Sequence, residues 1–274
     1  MTTTLRPVEP LQHNADGTRS RRYRVCVNSR PVGDIHLGTS PSFGDAVARV
    51  IDLRIAEPDR RRGRGTVAAL AAEEVARGWG CTQIETSVPA SAETALRLFG
   101  ALGYTLRNRR MEKRLANRPP ELPPGSCARR MTESEYDAWY AYESEQYARQ
   151  WIERGVPEAT ARAKARRDHE GLLPHGLTTD GMLFSVLEHE GARVGTLWLA
   201  LRHDRAYVFD VRADEAHRGQ GHGRTLMLLA ERQAIEAGRP VLGLNVHAGN
   251  VPAERLYESL GYETTFHTLA KPLL

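Results

Sequence analysis

Tyr207-Val208-Phe209-Asp210-Val211-Arg212-Ala213 leads, four residues later, into Arg218-Gly219-Gln220-Gly221-His222-Gly223-Arg224. The first run is apolar and predicts a strand. Behind the glycines, Leu226, Leu229, Ala230, Ala234 and Ala237 recur at helical spacing, and Gly238 with Pro240 predicts the helix end. A strand, a glycine-rich turn and a helix in that order aim unpaired backbone N–H groups at an anion. Gly221 and Gly223 leave room for a pyrophosphate to approach the backbone. The stretch lacks the Gly-Lys-Ser/Thr of a P-loop. It also lacks a dinucleotide fingerprint, because Leu226 stands where the third glycine would be.

The residues beyond the helix narrow the possibilities. Val241-Leu242-Gly243-Leu244-Asn245-Val246 predicts a second strand, and after it come Asn250, Ala253, Leu256-Tyr257 and Leu260-Gly261-Tyr262. Together these pieces resemble the GNAT superfamily of acetyl-CoA-dependent N-acyltransferases. Arg218, Gly221 and Gly223 match its Arg/Gln-x-x-Gly-x-Gly/Ala motif, and Asn250 to Tyr262 match Asn-x-x-Ala-x-x-Leu-Tyr-x-x-x-Gly-Phe/Tyr.

The same pattern occurs earlier in the chain. A constant offset of 158 positions superposes Asp52 on Asp210, Arg54 on Arg212, Arg60 on Arg218, Gly63 on Gly221, Gly65 on Gly223 and Tyr104 on Tyr262, without a gap from Val50 to Tyr104. The expected fold class is therefore α/β: two tandem GNAT-like domains, each a mixed, splayed β-sheet flanked by helices. The expected boundaries are 1–117, a proline-rich linker at 118–125, and 126–274. In the first copy Phe99 replaces Tyr257 and Ala92 replaces Asn250. Glu9 to Arg22 is also too short for the two helices expected at Thr132–Gln150 and Pro157–Glu170, with Gly155 between them. These differences predict a degenerate first copy and a catalytic second one.

The resemblance implies acetyl-CoA as the acyl donor, with a primary amine of a small molecule or peptide as acceptor. It implies donor binding by Val211, Arg212, Ala213, Arg218, Gly219, Gln220, Gly221, His222, Gly223, Arg224, Asn250, Ala253 and Tyr257. Tyr257 matches the family's general acid, with a core tyrosine beside Leu256 and Leu260 as the alternative. Asp210, at the end of the central strand, is the expected base, with a buried structural carboxylate as the alternative. Asn245 stands where some relatives carry glutamate, and alternation puts it on one face with His247. Tyr136, Tyr140, Glu143 and Tyr147 share a helical face, and aromatic rings with a carboxylate suit a cationic amine. Asn245, His247, Tyr136, Tyr140 and Glu143 are thus the candidate acceptor-side residues.

Composition sets bounds on the rest. The 274 residues suffice for two domains, and 41% hydrophobic with 26% charged residues is globular usage. No apolar run approaches the ~20 residues of a membrane span, and the first residues are too polar for a signal peptide, so a cytoplasmic protein without a membrane partner is expected. Cys26, Cys81 and Cys127 form no disulfide or metal pattern. The net charge of +4 suits a polyanionic ligand, and no nucleic-acid reading motif accompanies it. A monomer or homodimer is expected. Two other functions fit the same residues: a tandem small-metabolite acetyltransferase of thiol biosynthesis, and a non-catalytic acyl-CoA-binding or partner-binding module.

Overall fold

The computed structural model describes residues 3–152 and 157–273; Gly155 lies outside them. The chain forms two compact units that do not coincide with its two repeats. The first comprises the chain through Met111, Val246–Val251 and the segment from Thr264 onward, and the second comprises Glu112–Asn245 and Pro252–Glu263.

In the first unit β1 (Thr3–Pro7), β2 (Gln12–His13), β3 (Arg19–Val27), β4 (Arg30–Ser40) and β5 (Gly44–Ile55) succeed one another without an intervening helix. Then come α1 (Arg64–Gly78), β6 (Gln83–Pro89), α2 (Glu93–Ala101) and β7 (Thr105–Arg114), whose last three residues belong to the second unit. β5 and β6 are parallel because α1 crosses over between them. The order is β1-β3-β4-β5-β6-β13-β7, where β13 (Glu263–Pro272) comes from the far end of the chain. It runs antiparallel to β6, from Phe266 opposite Pro89 to Pro272 opposite Gln83. Ala68, Ala72 and Ala76 recur every fourth position on α1, and their small side chains let the helix lie close over Val25, Leu37, Ile84 and Leu269.

The second unit carries β8 (Ser126–Arg130), α3 (Glu133–Ile152), α4 (Glu158–Leu172), β9 (Met182–His189), β10 (Ala192–Leu201), β11 (Ala206–Ala213), α5 (His222–Glu236), β12 (Val241–His247) and α6 (Val251–Ser259). Its sheet order is β12-β11-β10-β9-β8. The proline-rich segment is free of helix and strand, and Arg232 Nε of α5 donates to the Pro120 carbonyl at 3.0 Å.

Two details of β11 position the site. It pairs with β12 only from Ala206 to Val208, so the strands part beyond that point. On its other side the register to β10 jumps between Trp198 and Leu199, leaving Phe209 as a bulge that re-aims the residues after it. β5 does the same: its pairing with β6 ends at Val50, and the matching bulge falls at Ile51. Ile51 and Phe209 are repeat-equivalent, so the correspondence seen in the sequence extends to backbone irregularity.

Candidate active site

α5 begins at a left-handed residue. Gly221 has φ 88°, Gly219 has φ 78°, and nothing lies within 4 Å of where a Cβ on Gly221 would sit. The first amides of α5 have no helical acceptor, so this is an open anion cradle. Gly223 has a different reason from the one expected. A Cβ there would meet Leu256 Cδ2 of α6 at 3.3 Å, so this glycine lets α5 and α6 pack closely. Gly65 repeats this with Leu98 at 3.0 Å.

Beside the cradle lies a cleft of about 300 Å³ lined by Trp139, Tyr142, Arg193, Arg212, Ala213 and Arg218, among others. Arg193 is paired with Asp214 at 3.2 Å and Arg218 with Glu215 at 3.7 Å. Arg212 lies 4.0 Å over the Tyr142 ring and 3.5 Å from a Glu143 oxygen. Val211, Arg212 and Ala213 are half-buried on the part of β11 that has left β12, so their backbone is not committed to that ladder. Gln220 is exposed. Arg224 turns away to bond Ser259 Oγ at 2.6 Å, and His222 is buried, its ring 5.2 Å from His189 and 6.1 Å from His217. Burial first, then these two histidines, hold the His222 pKa below its ordinary value. Arg224 and His222 thus hold the cradle's frame.

Asp210 is half-buried, and the indole N–H of Trp139 on α3 donates to its Oδ2 at 3.2 Å. Burial raises its pKa, opposed by Trp139, Arg212 and the Val211 amide. Burial, and secondarily Asp210, push Glu143 up to about 7. Tyr257 of α6 is buried, and burial with the nearby Asp210 pushes its hydroxyl up to about 12. The second unit therefore brings Asp210, Glu143, Arg212 and Tyr257 into one electrostatically coupled group.

Other expected residues fall elsewhere. Tyr136 is buried in an aromatic cluster, 5.0 Å from Phe184 and 5.6 Å from Trp139, and the half-buried Tyr140 lies 5.4 Å from His169. Tyr147 bonds Asp168 at 2.9 Å. That face of α3 is core packing, with only Glu143 reaching the charged group. Asn245 is exposed on β12 and Ala253 half-buried on α6, both in the second unit. His247 and Asn250 are exposed and belong to the first unit, where the Asn250 amide donates to the His247 carbonyl at 3.2 Å. Trp139, Tyr142 and Arg193 escaped the sequence reading. Trp139 was within reach of it, one helical step from Tyr136 and from Glu143.

The first copy has the same backbone device and different chemistry. Gly63 opens α1 at φ 70° beside a cleft of about 310 Å³ lined by Val27, Arg62 and Arg64. Arg64, the equivalent of His222, is buried against Asp59, which Arg30 also grips at 2.6 and 2.9 Å. Asp52, the equivalent of Asp210, pairs with Arg54 at 2.9 Å with about half its side chain exposed (49%). Phe99, in the place of Tyr257, packs 5.0 Å from Tyr104 and carries no proton to give.

The comparisons with known proteins agree with this geometry. The profile of the acetyltransferase (GNAT) family matches residues 3–104 and again 132–262. The N-acetyltransferase YdgE of Bacillus subtilis (strain 168), itself uncharacterized, is 30% identical over 149 residues, 52% of this chain and 95% of that protein. The mycothiol acetyltransferase of Thermomonospora curvata is 29% identical over 272 residues, 93% of this chain and 84% of that one. A crystal structure of a GCN5-related N-acetyltransferase from Sphaerobacter thermophilus shares the fold at TM-score 0.60 and 19% identity, over 92% of this chain and 80% of its own. Two matched copies of the profile cover most of the sequence: the chain is a tandem member of the acetyltransferase (GNAT) family.

Proposed function

We propose that the second copy transfers the acetyl group of acetyl-CoA directly to a primary amine, of a small molecule or a peptide, in a ternary complex. One observation carries the reading: the open, left-handed Gly221 cradle begins a helix in the same unit that couples Asp210, Glu143 and Tyr257. The cradle and the arginine-lined cleft fit the diphosphate of the donor. The edge of Val211–Ala213 that has left β12 suits its amide arm, and an N–H of that strand suits the thioester oxygen. Tyr257, with its pKa pushed to about 12, stays protonated at neutral pH and can protonate a departing thiolate, whose own pKa is about 8.5. Asp210 serves the basic end, because an alkylamine of pKa about 10.4 arrives protonated.

The test is thiol release from acetyl-CoA across a panel of primary amines, with the acetylated product identified by mass. Release with at least one amine is expected. Calorimetric binding of acetyl-CoA without release for any amine would make the protein an acyl-CoA-binding module instead. A second reading, a small-metabolite acetyltransferase of the thiol-biosynthesis kind, is favoured by the likeness to the Thermomonospora enzyme, which spans both copies. The acceptor of that enzyme therefore belongs in the panel.

A further inference from the structure

Resting on that reading, we infer that Glu143 is the second carboxylate of a proton-accepting pair with Asp210, and that the acceptor ammonium loses its proton to this pair through Glu143. α3 carries Trp139 and Glu143 one turn apart, so both reach the same end of β11. Trp139 holds Asp210 from behind with a 3.2 Å hydrogen bond, while Glu143 meets Arg212, two residues along the strand, at 3.5 Å. Glu143 keeps a fifth of its side chain exposed (20%), so solvent and an acceptor can reach it. The charged groups acting on Glu143 are Asp210 and Arg212, both from β11, and Tyr257 of α6 acts in turn on Asp210.

The Arg212 guanidinium pairs with Glu143 and lowers the pKa of Asp210 through its charge. With both ionised the trio carries a net negative charge in a half-buried place; with one proton it is neutral. An arriving ammonium restores the balance in the ionised form and supplies the proton that restores it afterwards. Burial and Asp210 set Glu143 at about 7, matched to accepting a proton near neutral pH. The first copy shows what the pair adds. Asp52 and Arg54 there neutralise each other in the open, and no helix separates β1 from β3 to bring a second carboxylate.

The bookkeeping of protons closes. R–NH₃⁺ gives one proton to the pair, and its nitrogen forms the C–N bond to the acetyl carbon as the C–S bond breaks. The Tyr257 hydroxyl protonates the thiolate and is made whole by the second proton leaving nitrogen. The amide keeps one N–H, and the proton on Glu143 passes to solvent.

The experiment uses the full chain and its best amine. In the wild type, kcat should fall on the acid side of a limb near pH 7. Glu143→Gln should abolish that limb and lower kcat by ~10²-fold, with acetyl-CoA affinity unchanged by calorimetry. Asp210→Asn should move the limb to lower pH, because the Asp210 charge is one of the forces lifting Glu143. A merely structural glutamate would not link the two. Carboxyl ¹³C NMR of glutamate-labelled protein gives a readout independent of turnover. One resonance should titrate near pH 7, vanish in Glu143→Gln and shift down in Asp210→Asn. A limb that survives Glu143→Gln, or a Glu143 resonance titrating with ordinary glutamates, overturns the inference. If the wild type releases no thiol with any amine, the acetyl-transfer reading falls and the acceptor role with it. The NMR titration then still decides whether the pair shares a proton.

Discussion

Asp52 and Asp210 hold equivalent positions in the two copies and end in opposite environments. Asp52 is half exposed beside Arg54; Asp210 is roofed by α3, bonded by Trp139 and raised in pKa by burial. A carboxylate at the end of this strand is therefore not by itself a base: the surroundings decide. The tyrosine position shows the complementary case, because there the residue itself changes, to Phe99. Tyr257→Phe removes one hydroxyl and little volume, so the fold and donor affinity should persist while turnover falls by ~10²-fold, the lower end for a lost general acid. Thiol release compared across pH 6–9 checks this, and a variant equal to wild type would reduce Tyr257 to a packing residue.

At the scale of elements, the two phosphate loops are near copies. Gly63 and Gly221 take φ of 70° and 88° at the start of α1 and α5; Gly63 lines its cleft, and a cleft of similar size reaches the second loop at Arg218. What separates them is the element laid over the end of β11. α3 supplies Trp139, Tyr142 and Glu143 to the second copy, whereas the first has only the short β2 hairpin at that point of the chain. The paired variants Gly63→Asp and Gly221→Asp put a carboxylate into one cradle each, against the diphosphate. Gly221→Asp should abolish turnover and weaken acetyl-CoA binding by several kcal/mol, while Gly63→Asp should leave most turnover. Thiol release and calorimetry on the folded variants check both; the reverse outcome would move catalysis to the first copy.

At the scale of the whole chain, β13 from Thr264 onward belongs to the first repeat's unit, and the last three residues of β7 belong to the second unit. Lys271 of β13 bonds Glu73 of α1 at 2.7 and 3.0 Å and lies 5.8 Å over Tyr104. Lys113 of β7 bonds Glu231 of α5 at 2.7 and 2.9 Å and lies 5.6 Å over Tyr262. These residues are equivalent under the 158-position offset, so the same lysine–glutamate pair forms in each unit. β13 also brings Leu269 into the first unit's core, and Leu273 just after it joins the same core. Ending the chain before Thr264 should therefore unprotect β6 (Gln83–Pro89), measured by amide hydrogen exchange, even though the deleted residues lie far away in sequence. Unchanged protection in β6 would show that β13 is dispensable. The sequence by itself determined the repeat, both glycine loops, the strand–loop–helix order and the tyrosine at 257, because these depend on local backbone preference and on spacing along the chain. It could not determine that β13 is the strand beside β6, since β7 and β13 carry equivalent residues, the lysine included. Nor could it determine that Glu143 reaches Arg212, two residues along the strand from Asp210. That depends on how α3 lies across β11 and on the bulge at Phe209, and packing in three dimensions sets both.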